Sequence, residues 1–444
     1  MFAAPTWPEP LRRMADGTLK QINPYSGTAV WTVPRRGNRP LGVASGDPAP
    51  IDLDCQGRFC AFCSGRYLET PPEKARLTRS DDLWRLQRAL PPADVLAAPA
   101  EFRRIPNLFE IVSYDYWHTN YDYLPDDAAR EHQSRYLSDA LGRRQVLDLL
   151  RIRLVAEGME PAVWDALGED ERLEHAVAFF AGCHDVIVAR RHYVDGATHD
   201  DQLASSGTLT PLEHARYVEF TVEALRALYE ANRYARYVAV FQNWLKPAGA
   251  SFDHLHKQLV AVDDRSIRTD QELSRLRANI NLYNEMAVDY AGRHNLLVAE
   301  NEHAVAFAGF GHRYPTLEVY SKSPVCPPWD QDPAEVRGLS DLLHACHAAT
   351  GADIPCNEEW HHQAPDVDLP MPWRVVLKWR VSTLAGFEGG TKIYLNTIDP
   401  WNLRDRVVPR LEQMRGRNQV ATDIAIGAEC RGRPNSLRYN PALH

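Results

Sequence analysis

Asn243-Trp-Leu-Lys-Pro-Ala-Gly-Ala-Ser-Phe-Asp-His-Leu-His-Lys-Gln258 closes on a His-x-His-x-Gln pattern. The residues before it, Tyr237-Val-Ala-Val-Phe-Gln-Asn243, are apolar and β-prone, and Leu259-Val-Ala-Val262 follows it. This order predicts a strand, a short glycine-containing loop and a second strand that opens at the histidines. Alternate side chains of a strand share a face. His254, His256 and Gln258 would therefore aim three nitrogen or oxygen groups at one spot. A neutral imidazole is a good phosphorus nucleophile, and the phosphoramidate it forms keeps a high transfer potential. Taken alone, the same stretch also reads as two hydrogen-bonded histidines at a strand start.

Eight cysteines occur, at 55, 60, 63, 183, 326, 346, 356 and 430, and Cys60-Ala-Phe-Cys63 is the one C-x-x-C. Pro5, Pro8, Pro10, Arg12 and Arg13 interrupt any apolar run after Met1, so no signal segment is expected and a reducing, cytoplasmic setting is the simpler reading. Paired thiols in that setting point to metal binding or redox work. A tetrahedral zinc site needs two further ligands, and 17 histidines are available.

With 444 residues, 44% of them hydrophobic and 25% charged, the chain can bury a large core and is expected to form two domains or a duplicated one. A net charge of −9 argues against a nucleic-acid binder held by counterion release. No window approaches the roughly 20 apolar residues of a membrane span. Neither nucleic acid nor membrane is an expected partner.

The order of predicted elements repeats. In the first half Val186-Ile-Val188 reads as a strand. Thr210-Pro211-Leu-Glu213 starts a helix with a capping box and proline at its first position, and Val218, Val222 and Leu225 recur at helical spacing. In the second half Ala304–Phe307 and Leu317–Tyr320 read as strands. Asp332-Pro333 starts a helix with Val336, Leu339, Leu343 and Cys346 on one face, and Trp379-Arg-Val381 lies in the late strand region. Two α+β halves are expected, residues 1–262 and 263–444, joined near residues 263 to 285. The charged, helical pattern from Asp126 to His175 lacks a second-half counterpart and reads as an inserted helical segment.

Several blocks between about residues 23 and 398 resemble the galactose-1-phosphate uridylyltransferase family, a branch of the histidine-triad superfamily that includes the plant-type ADP-glucose phosphorylases. They are Asn23-Pro-Tyr-Ser-Gly to Arg36-Gly-Asn-Arg39-Pro40; Cys60-Ala-Phe-Cys63-Ser-Gly with Glu69-Thr-Pro-Pro-Glu73; Arg104-Ile-Pro-Asn107-Leu-Phe109; and Asp185-Val-Ile-Val-Ala-Arg-Arg-His192. The Asn243 to Gln258 stretch and Leu384-Ala-Gly386-Phe-Glu388-Gly-Gly-Thr391-Lys-Ile-Tyr394-Leu-Asn396 complete the set.

The resemblance implies a fold of two tandem histidine-triad-like halves, with antiparallel sheets and helices packed on one side. It assigns His256 as nucleophile and Ser251 and Gln258 to the transferred phosphoryl group, with Asn243 supporting the loop. Arg36 and Arg39 fall on positions that approach the nucleotide phosphates, and Asn107 on the nucleoside contact. Glu388 inherits a contact to sugar hydroxyls, and Thr391 and Asn396 could bind an acceptor phosphate. Cys60, Cys63, His192 and His254 would hold one structural zinc. Overlay of the halves sets Ser323, Pro372 and Arg374 at the places of His192, His254 and His256, so the second half is expected to be catalytically silent. A second metal is not expected there, because the late His-x-His is missing.

Departures from the family pattern occur at Leu108, in place of an acidic ribose contact; at Lys257, in place of glycine; and at Tyr394, in place of glutamine. Lys257 is expected on the opposite strand face, solvated. The Tyr394 form is closer to the ADP-glucose phosphorylase branch.

The implied activity is transfer of a nucleoside monophosphate from a nucleotide sugar, through a nucleotidyl-histidine, to a sugar 1-phosphate. An alternative acceptor is inorganic phosphate, which would make the protein a nucleotide-sugar phosphorylase; a requirement for a sugar phosphate or for phosphate alone separates the two. A third reading is a zinc-stabilised nucleotide-sugar sensor without turnover. A pure binder has no need of the His256 imidazole together with Gln258. A homodimer is implied by the family.

Overall fold

The computed structural model describes residues 9–34, 47–81 and 83–443. Arg36 and Arg39 lie outside the described residues. One antiparallel sheet of twelve strands runs through the molecule. From one edge its strands are Ala425–Ile426, Leu297–Glu300, Ala304–Ala308, Thr316–Ser321, Arg374–Trp379 and Cys356–His361, then Tyr237–Trp244, His256–Val262, His184–Ala189, Phe102–Pro106, Ala75–Ser80 and Leu83–Arg88. The first six belong to the second half of the chain and the last six to the first half. They join where Tyr237–Trp244 pairs with Cys356–His361, with Asn243 opposite Asn357 and Phe241 opposite Glu359.

The two faces of this sheet are unlike because side chains alternate along each strand. Lys257 and Glu358 project to one face, which two long helices cover. Pro211–Ala231 begins as expected: the Thr210 hydroxyl accepts from the Glu213 N–H, and the Glu213 carboxylate accepts from the Thr210 N–H at 2.8 Å. Pro333–Thr350 has the same box at Asp332 and Glu335. Val218, Val222, Leu225, Val336, Leu339, Leu343 and Cys346 are all buried in the core between helices and sheet. Two buried histidines on these helices meet partners from other elements. His214 Nδ1 lies 2.8 Å from Ser340 Oγ, and His347 Nε2 lies 2.7 Å from Glu358 Oε2.

The opposite face carries His256, Gln258, Asn243, Asn357 and Arg374. Over the second half, part of it is covered by a small sheet of Leu11–Arg13, Leu19–Ile22, Ala29–Thr32 and Ile393–Leu395, the last strand parallel to the third. Tyr25 from this segment packs into a core with Leu273, Leu276, Tyr283, Tyr290, Phe307 and Tyr320. The N-terminal strands therefore pack against second-half residues.

Residues between 126 and 175 form the helices Asp127–Ser138, Ala140–Ala156, Pro161–Ala166 and Glu169–Glu174. Tyr136, Val146, Leu149, Leu150 and Trp164 make an apolar cluster of their own with Phe179 and Phe180. No helix among the described residues is long and apolar enough to cross a membrane.

Register corrects one position in the overlay of the halves. His256 opens its strand opposite Val188, and Arg374 opens its strand opposite Tyr320. His192 is four residues past Val188, and four past Tyr320 is Pro324, not Ser323. Neither residue supplies a metal ligand of the thiol or imidazole type.

Candidate active site and metal cluster

Cys60 and Cys63 sit on a tight knuckle in which the Cys63 N–H donates to the Cys60 carbonyl (3.0 Å) and the Arg66 N–H to the Cys63 carbonyl (2.9 Å). Gly65 lets the turn close. A Cβ there would fall 2.9 Å from the Gly57 carbonyl oxygen and 2.8 Å from Arg58 Cγ. His192 follows the strand His184–Ala189. Its neighbour Arg191 is tied to Glu213, at the start of the long helix, by an ion pair of 2.7 Å. His254 ends the loop that leaves Trp244. That loop holds Leu245 at φ +65° and ψ 154°, a region almost reserved for glycine, and turns at Gly249 with φ +93°.

These four residues converge. The two Sγ atoms are 3.8 Å apart, Cys60 Sγ lies 3.5 Å from His192 Nδ1 and 3.4 Å from His254 Nδ1, and Cys63 Sγ lies 3.7 and 3.8 Å from the same nitrogens. A tetrahedral ion with bonds of about 2.3 Å to sulfur and about 2.0 Å to nitrogen requires sulfur–sulfur edges of about 3.8 Å and sulfur–nitrogen edges of about 3.5 Å. The donor set fits, and it is the group among the described residues that could hold a metal ion. His254 Nε2–H donates to the Ala189 carbonyl at 2.7 Å, leaving Nδ1 for the ion. The contact between the two thiols splits them: the Cys60 S–H favours the Cys63 thiolate and lowers its pKa, and the same contact, with burial, raises the Cys60 thiol.

Two residues on, the buried His256 sets its Nδ1 2.7 Å from the main-chain carbonyl of His254. A carbonyl only accepts, so Nδ1 carries the hydrogen and Nε2 presents its lone pair. Burial pushes the pKa of His256 down to about 4, so the ring is neutral near pH 7. Phe62 packs beside it at a ring-centroid distance of 5.3 Å, above a small apolar floor of Ile105, Val186 and Val188.

Gln258, on the same face, is held by a residue that the sequence reading did not single out. His184 Nδ1 accepts from the Ile111 N–H at 3.1 Å, so its Nε2–H donates to Gln258 Oε1 at 3.0 Å. Burial lowers the His184 pKa to about 4, which keeps it in this neutral form. Asn107 adjoins the pair, with Nδ2 3.1 Å from His184 Nε2, Oδ1 accepting from the Phe109 N–H, and its own N–H donating to the His184 carbonyl. The signal for His184 lies in the strand itself. Starting the strand one residue before Asp185 puts His184, Val186 and Val188 on the face of His256 and Gln258.

Asn243 is linked to the loop through a residue of the other half of the chain. Asn357 Nδ2 reaches both Asn243 Oδ1 (2.7 Å) and the Ala248 carbonyl (2.8 Å). Ser251 is exposed in the loop. Lys257 is not solvated. It is completely buried on the opposite face, with Nζ 2.5 Å from Glu358 Oε1 and 3.2 Å from Gln242 Oε1.

The C-terminal candidates occupy another region. Glu388 is buried and caps its own helix, Gly386–Thr391, through the Ala385 N–H (3.1 Å). The Thr391 hydroxyl donates to the Phe387 carbonyl, and Asn396 Nδ2 donates to the His312 carbonyl at 3.1 Å. Among the described residues, none of these bonds reaches His256, Gln258 or the metal-binding cluster.

The fold is that of an ADP-glucose phosphorylase from Arabidopsis thaliana solved with bound ADP-glucose: 88% of this chain and 97% of that one superpose with a TM-score of 0.56 at 19% identity. A GalT-like protein from Arabidopsis thaliana gives a TM-score of 0.55 over 87% of this chain and 97% of that one, at 18% identity. No curated protein matches the sequence. Residues 14–439 match the profile of the family described as Domain of unknown function (DUF4921), and the chain belongs to that family.

Proposed function

We propose that the protein is a nucleotidyltransferase of the galactose-1-phosphate uridylyltransferase type, acting on a nucleotide sugar through His256. The observation that carries this reading is the Nδ1–H of His256 held on the His254 carbonyl, which presents the Nε2 lone pair of a buried, neutral ring. Nε2 attacks the α-phosphorus, an N–P bond forms, and the bond from the α-phosphorus to the bridging oxygen breaks with release of a sugar 1-phosphate. As the ring becomes cationic, the Nδ1–H to carbonyl bond strengthens, an interaction larger in the transition state than in the ground state. A phosphate oxygen of the acceptor then attacks the same phosphorus, and the N–P bond breaks.

In this reading the Gln258 amide, oriented by His184, and Ser251 bind the transferred phosphoryl group, and Asn107 lies toward the nucleoside. Arg36 and Arg39 approach the phosphates. Glu388, Thr391 and Asn396 serve the sugar or acceptor side. Cys60, Cys63, His192 and His254 hold one zinc ion, whose contribution is to fix the loop that carries the nucleophile.

The acceptor is a sugar 1-phosphate in the first form of this reading and inorganic phosphate in the second. Tyr394 in place of glutamine, and a fold shared with a phosphorylase over nearly its full length, favour keeping the second.

The test is incubation with nucleoside diphosphate sugars labelled at the α-phosphorus, without acceptor. Acid-labile, base-stable label on the protein that is missing from His256→Ala, and that phosphate or a sugar 1-phosphate discharges, is the expected result. Failure of every donor to label a metal-replete protein would favour the sensor.

A further inference from the structure

The half of the sheet without a nucleophile has a cavity of its own, of about 280 Å³, on the face that carries His256. Arg374 lies in it, nearly fully buried, at the position that His256 holds in the other half. Two strands separate theirs. At ~4.8 Å per step across the sheet the two positions are roughly 14 Å or more apart.

Each carboxylate in this cavity already has a partner. Glu272 takes Arg374, with Nη1 and Nη2 at 2.8 and 2.9 Å; Glu318 takes His312 Nε2 at 2.8 Å; and Glu359 takes Lys378. Three guanidiniums on the wall, Arg268, Arg313 and Arg380, are left without a carboxylate among the described residues. Arg313 and Arg380 both lie over the Tyr314 ring, at 5.0 and 4.8 Å. The Nε of each is buried with no hydrogen-bond partner among the described residues. Buried N–H groups are rarely left unpaired, and cations gathered at one hollow raise each other's energy until an anion joins them. The volume suits a molecule the size of a phosphorylated sugar better than a whole nucleotide sugar, since drug-sized ligands occupy about 300–1,000 Å³.

We propose that this cavity is a second ligand site that binds the phosphoryl group of a small phosphorylated sugar on Arg313 and Arg380. It does not depend on nucleotidyl transfer at His256. Through Asn357, whose Oδ1 accepts from Arg380 Nη1 at 2.7 Å and whose Nδ2 holds Asn243 and Ala248, the site adjoins the base of the nucleophile loop.

The test is calorimetric titration of the metal-replete, full-length protein with a hexose 6-phosphate and, separately, with inorganic phosphate. Wild type, Arg313→Gln, Arg380→Gln and His256→Ala are compared, each with its melting temperature. The expected result is binding that weakens at least tenfold in Arg313→Gln and in Arg380→Gln and stays within threefold in His256→Ala. Phosphate binding as tightly as the hexose phosphate would assign the site to the oxyanion alone. Arg313 is only partly buried and has no ion pair among the described residues, so its variant keeps the test open if Arg380→Gln fails to fold. The proposal is overturned if neither probe binds at millimolar concentration, if Arg313→Gln binds within threefold of wild type, or if binding is lost in His256→Ala.

Discussion

His256 donates its Nδ1–H to the carbonyl of His254, so the group that would perform the chemistry is held by the main chain of a residue whose own ring faces two thiols and a second imidazole. In the proposed mechanism the position of the nucleophile therefore follows from the metal-binding cluster. Cys60→Ser, a change at a residue that is not itself hydrogen-bonded to His256, should weaken metal binding and lower nucleotidyl transfer by ~100-fold or more, since a displacement of about 1 Å at a nucleophile can cost that much. Metal per chain and turnover are measured together. Full turnover in a metal-free Cys60→Ser protein would refute the coupling.

In the proposed mechanism His184 acts through Gln258, whose amide oxygen it holds. Its replacement by alanine frees the Gln258 amide and should lower kcat by ~10–100-fold with little change in KM, as expected for a residue that positions a group needed in the transition state. Steady-state kinetics at saturating nucleotide sugar read the split. A change confined to KM would move His184 to ground-state binding.

Lys257 and Glu358 form a fully buried pair between the two halves, with His347 and the Trp360 indole N–H on the same carboxylate. Removing one partner strands the other charge. Lys257→Met should cost about 3–5 kcal/mol of stability, and the double change with Glu358→Gln should recover part of the loss. Urea unfolding of the two variants decides this, with recovery in the double variant as the diagnostic result.

Burial raises the Glu110 carboxyl to about 7, against the Tyr114 N–H that donates to it and the cations of Arg153 and Lys74. The folded pKa lies above the ordinary value of 4.5. Its contribution to stability is therefore full below that ordinary value and is lost as pH rises through about 7. Glu110→Gln should gain about 2–3 kcal/mol relative to wild type on going from pH 4 to pH 8. Melting curves across this range check the sign, and a gain toward acid pH would reverse the assignment.

Much of the site was legible because its elements are local. The Cys-x-x-Cys knuckle and the Thr210 and Asp332 helix starts each occupy a few consecutive residues and take the conformation their spacing dictates. Of the His-x-His-x-Gln pattern, His256 and Gln258 share a strand face as expected, whereas His254 precedes the strand and turns its ring to the thiols. What escaped depends on partners far along the chain. Lys257 reads as a solvated cation until Glu358, 101 residues later, is placed beneath it. His184 gains meaning only when its strand pairs with that of Gln258, 74 residues on. The one-residue offset between Ser323 and Pro324 is a matter of register, which the period-two pattern of buried strands leaves undetermined.

Joining the halves at Tyr237–Trp244 and Cys356–His361 also governs how the protein behaves among its own copies. An unpaired strand edge is a template for growth by another chain, and the seam consumes one such edge from each half. Among the described residues, the two outer strands that remain are poor templates. Ala425–Ile426 is two residues long, and Leu83–Arg88 displays Arg85 and Arg88 beside its exposed leucines. A fragment cut at the junction would uncover the Tyr237–Trp244 or the Cys356–His361 edge, with neither brevity nor arginine to guard it, and such fragments would be sticky where the whole chain is not.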